Sequence, residues 1–173
     1  MNANTELRQI LQDITLNHPS AHPQLMHERT ANHSIKIVSP LGNGLKYNCV
    51  MFALGAVDNP QYIDLINHLP DDRDIHADTN FLKYLIEQGQ LIPDPNGNLI
   101  IYSNDEKITH IGKIDSADRV QSKWGKGHLY DHAILEVPED YGNHYSNYQL
   151  NETFDFMSSF EKYLKKALDS YLP

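Results

Sequence analysis

Cysteine is the scarcest source of chemistry in this chain: its 173 residues contain one, Cys49. A lone thiol excludes an internal disulfide framework and fits a reducing compartment or a single reactive sulfur. Long apolar runs are missing too, none approaching the ~18 residues that read as a membrane span. The opening Met1-Asn2-Ala3-Asn4-Thr5-Glu6 has neither a basic region nor an apolar core, so no Sec-type signal is visible. Cationic residues are outnumbered: 14 Lys and Arg against 23 Asp and Glu leave a formal charge of -9. That balance argues against partners such as nucleic acid or an anionic membrane. The expected location is cytoplasmic as synthesised, with export left to a machine that needs no signal peptide.

What is present describes a soluble globular chain. Apolar residues make up 40% and charged residues 21%, and the length suits a single domain over residues 1–173 with a core of its own. Leu7, Ile10, Leu11 and Ile14 recur at helical spacing and predict a helix from Thr5 to Leu16. Ser34 to Ser39 reads as a short strand. Asp58-Asn59-Pro60 opens a helix through Tyr62 and Ile66, and Asp78 or Thr79 caps another carrying Phe81, Leu82, Leu85 and Ile86 inward until Gly89. Pro70-Asp71-Asp72-Arg73-Asp74 reads as an acidic surface loop. After the turn signal at Pro93 to Asn98 the period changes to that of strands: Leu99 to Tyr102, Ile108 to Ile114, Asp118 to Trp124 and His132 to Val137. A periodic helix over Glu152 to Leu172 closes the chain. Helices, then an antiparallel sheet, then a helix make an α+β fold.

Ten histidines are many for this length. His18, His22, His27 and His33 read as solvated loop residues, because Pro19 and Pro23 break the helical register and no acidic or cysteine partner completes a ligand set. No metal and no cofactor is expected.

The chain is organised around Tyr47-Asn48-Cys49-Val50-Met51-Phe52-Ala53-Leu54-Gly55. A polar approach leads into an apolar run that reads as a buried helix, with Asn48 at or beside its N-cap. Cys49 falls in the first turn, where unpaired N–H groups and the helix dipole favour a thiolate. The bland alternative is a small buried side chain. In the sheet half, His110 alternates with Ile108, Gly112 and Ile114, and glycine two positions on leaves room beside it. Ser122 alternates with Val120 and Trp124 on a face expected to be buried, and His132 stands at the mouth of the last strand. Cysteine on a helix, histidine on a strand and a third polar group form the set that nucleophilic catalysis needs. The oxyanion site would come partly from the Cys49 N–H; Tyr47, Asn48 and Trp124 are the neighbours assigned to the oxyanion and substrate side.

The order Cys49, then Thr109-His110-Ile111-Gly112-Lys113-Ile114, then a further strand resembles the NlpC-type branch of papain-like cysteine peptidases. Asn48-Cys49, Ala53, Gly55, His110, Ser122-Lys123-Trp124-Gly125, His132 and Tyr141-Gly142 resemble a little-characterised papain-like group still more closely, over about residues 45 to 145. The resemblance implies a papain-like fold with Cys49 as nucleophile and His110 as base. Counting a dozen positions from His110, where the family keeps its third residue, lands on Ser122. His132 is the alternative, and a two-residue site is the third option. Asn48 stands where the NlpC-type pattern has Asp. The expected activity is thiol-dependent attack on an amide: a peptidase, amidase or deamidase with a peptide or protein substrate. The competing expectations are a non-catalytic binding module and a toxin-neutralising partner using the acidic loop.

Overall fold

The computed structural model describes residues 3–18, 22–30, 32–39, 47–69, 75–115 and 118–169. Among them are six α-helices: α1 (Ala3–Asn17), α2 (His22–Arg29), α3 (Cys49–Ala53), α4 (Pro60–Asn67), α5 (Thr79–Glu87) and α6 (Phe156–Asp169). Seven strands join them: β1 (Lys36–Ser39), β2 (Leu91–Pro93), β3 (Leu99–Asn104), β4 (Lys107–Ile114), β5 (Arg119–Lys123), β6 (Leu129–Ala133) and β7 (His144–Leu150). They form one sheet in the order β1-β6-β5-β4-β3-β7-β2, with every neighbouring pair antiparallel. The fold is α+β. The acidic loop 71–74 and the glycine-rich approach at 42–46 lie outside the described residues. No described helix is long and apolar enough to cross a membrane.

Local chemistry sets most helix starts. The Asn48 side chain accepts from the Met51 N–H, Asn59 accepts from Tyr62 with Pro60 in the first turn, and Asp78 accepts from Asn80 and Phe81. Each satisfies N–H groups that the first helical turn leaves unpaired. Asp155 does the same for Ser158, which starts α6 four residues later than its apolar period suggests.

Alternation along the strands builds two cores, one on each face. On one face Leu99, Ile101 and Ile111 pack with Val50 and Met51 of α3, Tyr62 of α4, Phe81, Leu82 and Leu85 of α5 and Phe156 and Phe160 of α6. On the other, Ile100, Tyr102, Val120, Trp124 and Tyr130 pack with Leu7, Leu11 and Ile14 of α1 and Met26 of α2. Burying one such side chain contributes about 1.5–3 kcal/mol, so every strand facing both cores is anchored twice.

Three sequence expectations are corrected. The strand placed at His132 to Val137 is β6, which ends at Ala133; the Glu136 N–H turns back to the Ala133 carbonyl at 2.9 Å. The segment His22 to Arg29 is helical rather than loop, because Met26 and Leu25 are drawn into the α1 core. Ile108 does not share a face with His110. A register shift between β3 and β4 at Thr109 turns Ile108 to the α3 side, since an extra residue inverts the alternation beyond it.

Candidate thiol site

Cys49 is the first residue of α3. Asn48 holds that start from both ends of its amide: Oδ1 accepts from Met51 at 2.9 Å and Nδ2 donates to the Ala77 carbonyl at 2.7 Å. The thiol then meets an opening in the sheet. β4 pairs with β5 through only Lys113–Gln121 and Ile114–Val120. Past that short ladder the Ile111 N–H has no strand partner on this side, and it bonds the Cys49 sulfur together with the amides of Val50 and Cys49 itself.

Three amides and the nearby Lys123 ammonium all favour a thiolate, yet burial outweighs them and pushes the thiol above its ordinary value. The helix start therefore does not by itself produce the depressed pKa that its position suggests. A five-residue helix has a small dipole, and desolvation opposes any charge formed there.

Two residues to which the sequence pattern assigns no role, Lys123 and Tyr141, interact electrostatically with the thiol. Lys123 donates to the Gly125 and Gly127 carbonyls at 2.9 and 2.5 Å, and its Nζ lies 5.4 Å from the Tyr47 ring centroid. The Tyr141 hydroxyl bonds the Gly125 amide and feels the thiol, and burial raises its pKa most. Tyr141 is positioned by its neighbours. A Cβ on Gly142 would lie 2.2 Å from the Ser103 carbonyl oxygen, so only glycine lets this turn press on β3. Arg8 of α1 binds the same turn at Val137, Gly142 and Asn143.

His110 is buried and stacks on Tyr141, the ring centroids 3.9 Å apart and 14° from parallel. It is paired with Tyr102 across the β3–β4 ladder and so shares that residue's face, turned toward α1 rather than α3. No hydrogen bond joins it to Cys49 among the described residues, and its Nε2 is buried without a partner. Burial, then the neighbouring His132, holds its pKa well below the usual histidine range. The room expected at Gly112 is taken: a Cβ there would meet Val120 Cγ1 at 2.5 Å and Ser122 Cβ at 3.1 Å.

Ser122, His132 and Trp124 are brought together in a relay whose direction can be worked out. The indole can only donate, so Trp124 Nε1 donates to Ser122 Oγ at 2.9 Å. His132 Nδ1 lies 2.8 Å from the Ala133 carbonyl, which can only accept, so Nδ1 carries the proton. Nε2 then accepts from the Ser122 hydroxyl at 2.8 Å. Both His132 nitrogens are engaged, so neither reaches His110 by a hydrogen bond. Burial depresses the His132 pKa to about 4. Trp124 is wholly buried and faces the core rather than an open substrate side, while Tyr47 and Asn48 remain half-buried beside the thiol. Among the described residues no group of three or more His, Cys, Asp or Glu is placed to hold a metal ion.

A family model spanning residues 39–149 matches this sequence. The chain belongs to DUF7689, a domain of unknown function. No curated protein and no solved structure gives a match. The DUF7689 segment contains Cys49, His110, Ser122, Lys123, His132 and Tyr141, while α1 with Arg8 and α6 with Phe160 lie outside it.

Proposed function

We propose that this protein is a thiol-dependent hydrolase or acyl transferase acting on an amide bond of a peptide or protein, on a papain-like scaffold of the NlpC type. The observation that supports it is the Cys49 sulfur seated at a helix start in the gap between β4 and β5, ringed by three amides and a lysine. Such a cradle suits a sulfur that must pass through an anionic state. In this reading the thiolate attacks the amide carbon, forming a C–S bond and an oxyanion. Collapse breaks the C–N bond with a proton delivered to the leaving amine, and water or a second amine then releases the acyl group.

His110 is assigned the proton transfer, supported by its unpartnered Nε2, since a buried polar atom left unbonded asks for a reason. That role requires the ring to exchange its stack on Tyr141 for a position facing the sulfur when substrate enters. Ser122 and His132 support the β5–β6 floor beneath it, and their hydrogen bonds run to each other, to Trp124 and to the Ala133 carbonyl rather than to His110.

A second reading is favoured by the raised Cys49 pKa and by the face His110 occupies: a binding module that keeps the scaffold without turnover. An iodoacetamide-alkyne probe, with a panel of peptide anilides, stem-peptide amides and glutamine-bearing proteins, separates the two. The hydrolase reading expects labelling at Cys49 and turnover that both vanish in Cys49→Ala, with turnover alone lost in His110→Ala. Labelling without turnover on any member of the panel supports the binding module.

A further inference from the structure

We propose that Lys123 is the cationic partner of the Cys49 thiolate, the part that an imidazolium plays in a Cys–His pair. This rests on the thiol reading above and names the residue that carries the positive charge at that site.

Register places Lys123 where the role requires. Ser122 and Lys123 face opposite sides of β5; Ser122 joins the α1 side with His132, which sends Lys123 to the α3 side with Cys49. Its head is fixed between the Gly125–Gly127 turn and the ring of Tyr47, two residues before Cys49 in the chain. Two of the three ammonium protons go to the Gly125 and Gly127 carbonyls, leaving one unassigned.

Those carbonyl partners are neutral, so they solvate the charge without cancelling it. Lys123 is only 6% exposed, and no carboxylate forms a salt bridge with it among the described residues. A buried cation in that state is costly until an anion stands near it. The thiolate is the anion at hand: Cys49 is the charge that Lys123 feels, and Lys123 the side-chain charge that Cys49 feels. His110 offers no competing charge, because it is neutral and turned to the other face. On ionisation the thiol proton passes to water, and Lys123 keeps its own. His110 is neutral before and after the step, so the proton that the leaving amine takes comes back from water, the imidazole accepting it at one ring nitrogen as it gives one up from the other.

A single cysteine makes the test direct. Protein labelled with 13C at cysteine Cβ gives one resonance, whose shift against pH reports the Cys49 titration whether or not a reagent can reach the sulfur. Removing the charge in Lys123→Met or Lys123→Gln should raise the midpoint by about one unit or more. Lys123→Arg, which keeps the charge, should stay nearer wild type, and His110→Gln should leave the midpoint in place. Trp124 emission confirms that each variant is folded, and Lys123→Gln retains a donor for the turn if the methionine variant does not fold. An unchanged midpoint in the neutral variants, equal shifts in the Arg and Met variants, or a shift in His110→Gln instead would overturn the pairing. A raised midpoint with no turnover on any amide upholds the pairing and counts against the hydrolase reading alone.

Discussion

Stability of this protein should fall between pH 7 and pH 5, before carboxylates begin to titrate, because burial lowers the pKa of three buried histidines, His110, His128 and His132. His132 is wholly buried, with both ring nitrogens committed to Ser122 and Ala133. Burial takes its pKa to about 4 from an ordinary 6.5. The folded value is the lower one, so in this window the unfolded chain binds the extra proton. Its contribution is therefore fully present above pH 6.5 and is lost as pH falls toward 4. Between pH 7 and 5 the loss from His132 alone is about 2 kcal/mol, and His110 is depressed in the same direction. With a urea slope of about 2 kcal/mol/M, the His132 share moves the unfolding midpoint by about 1 M. The assay is urea unfolding at pH 7, 6 and 5, followed by the emission of Trp124, whose ring centroid lies 5.4 Å from that of His132. In His132→Gln, which cannot titrate, the drop should shrink by the His132 share whatever the variant's absolute stability. Equal midpoints at pH 7 and 5 in wild type, or an undiminished drop in the variant, would refute the reasoning.

Three further outcomes are expected. Phe160 packs edge-on against Tyr62 and Phe81 with centroids 4.9 and 5.3 Å away, so Phe160→Ala should cost about 3–5 kcal/mol in chemical denaturation; a loss under 1 kcal/mol would mean α6 does not close that core. Gly112→Ala must push Val120 and Ser122 off their contacts and should destabilise by about 1–3 kcal/mol, which a thermal melt will register. Trp124, being wholly buried, should emit in the blue and resist iodide; ready quenching in the folded protein would contradict its place in the core.

Asn48 as cap, the Asn59-Pro60 start, the Asp78 cap and the Gly89 stop were legible in the sequence, because helix ends are decided by groups within a few residues of each other. So were the in-phase burial of Val120, Ser122 and Trp124 and the inward stripe of α6, which follow from periodicity alone. β7 was not legible. His144 to Leu150 is largely polar, and it is a strand because β3 and β2 present unpaired edges on either side of it. The site divided along the same line. Cys49 at a helix start could be read directly. Whether His110 faces it depended on the face of the sheet that Tyr102 occupies, and Lys123 falls on the sulfur's side of the sheet only through the register of β5 against β6. The sign of the Cys49 shift was decided later still. Amides and a lysine can be anticipated from local order, but burial is the summed exclusion of water by elements distant in the chain, and here burial outweighs them.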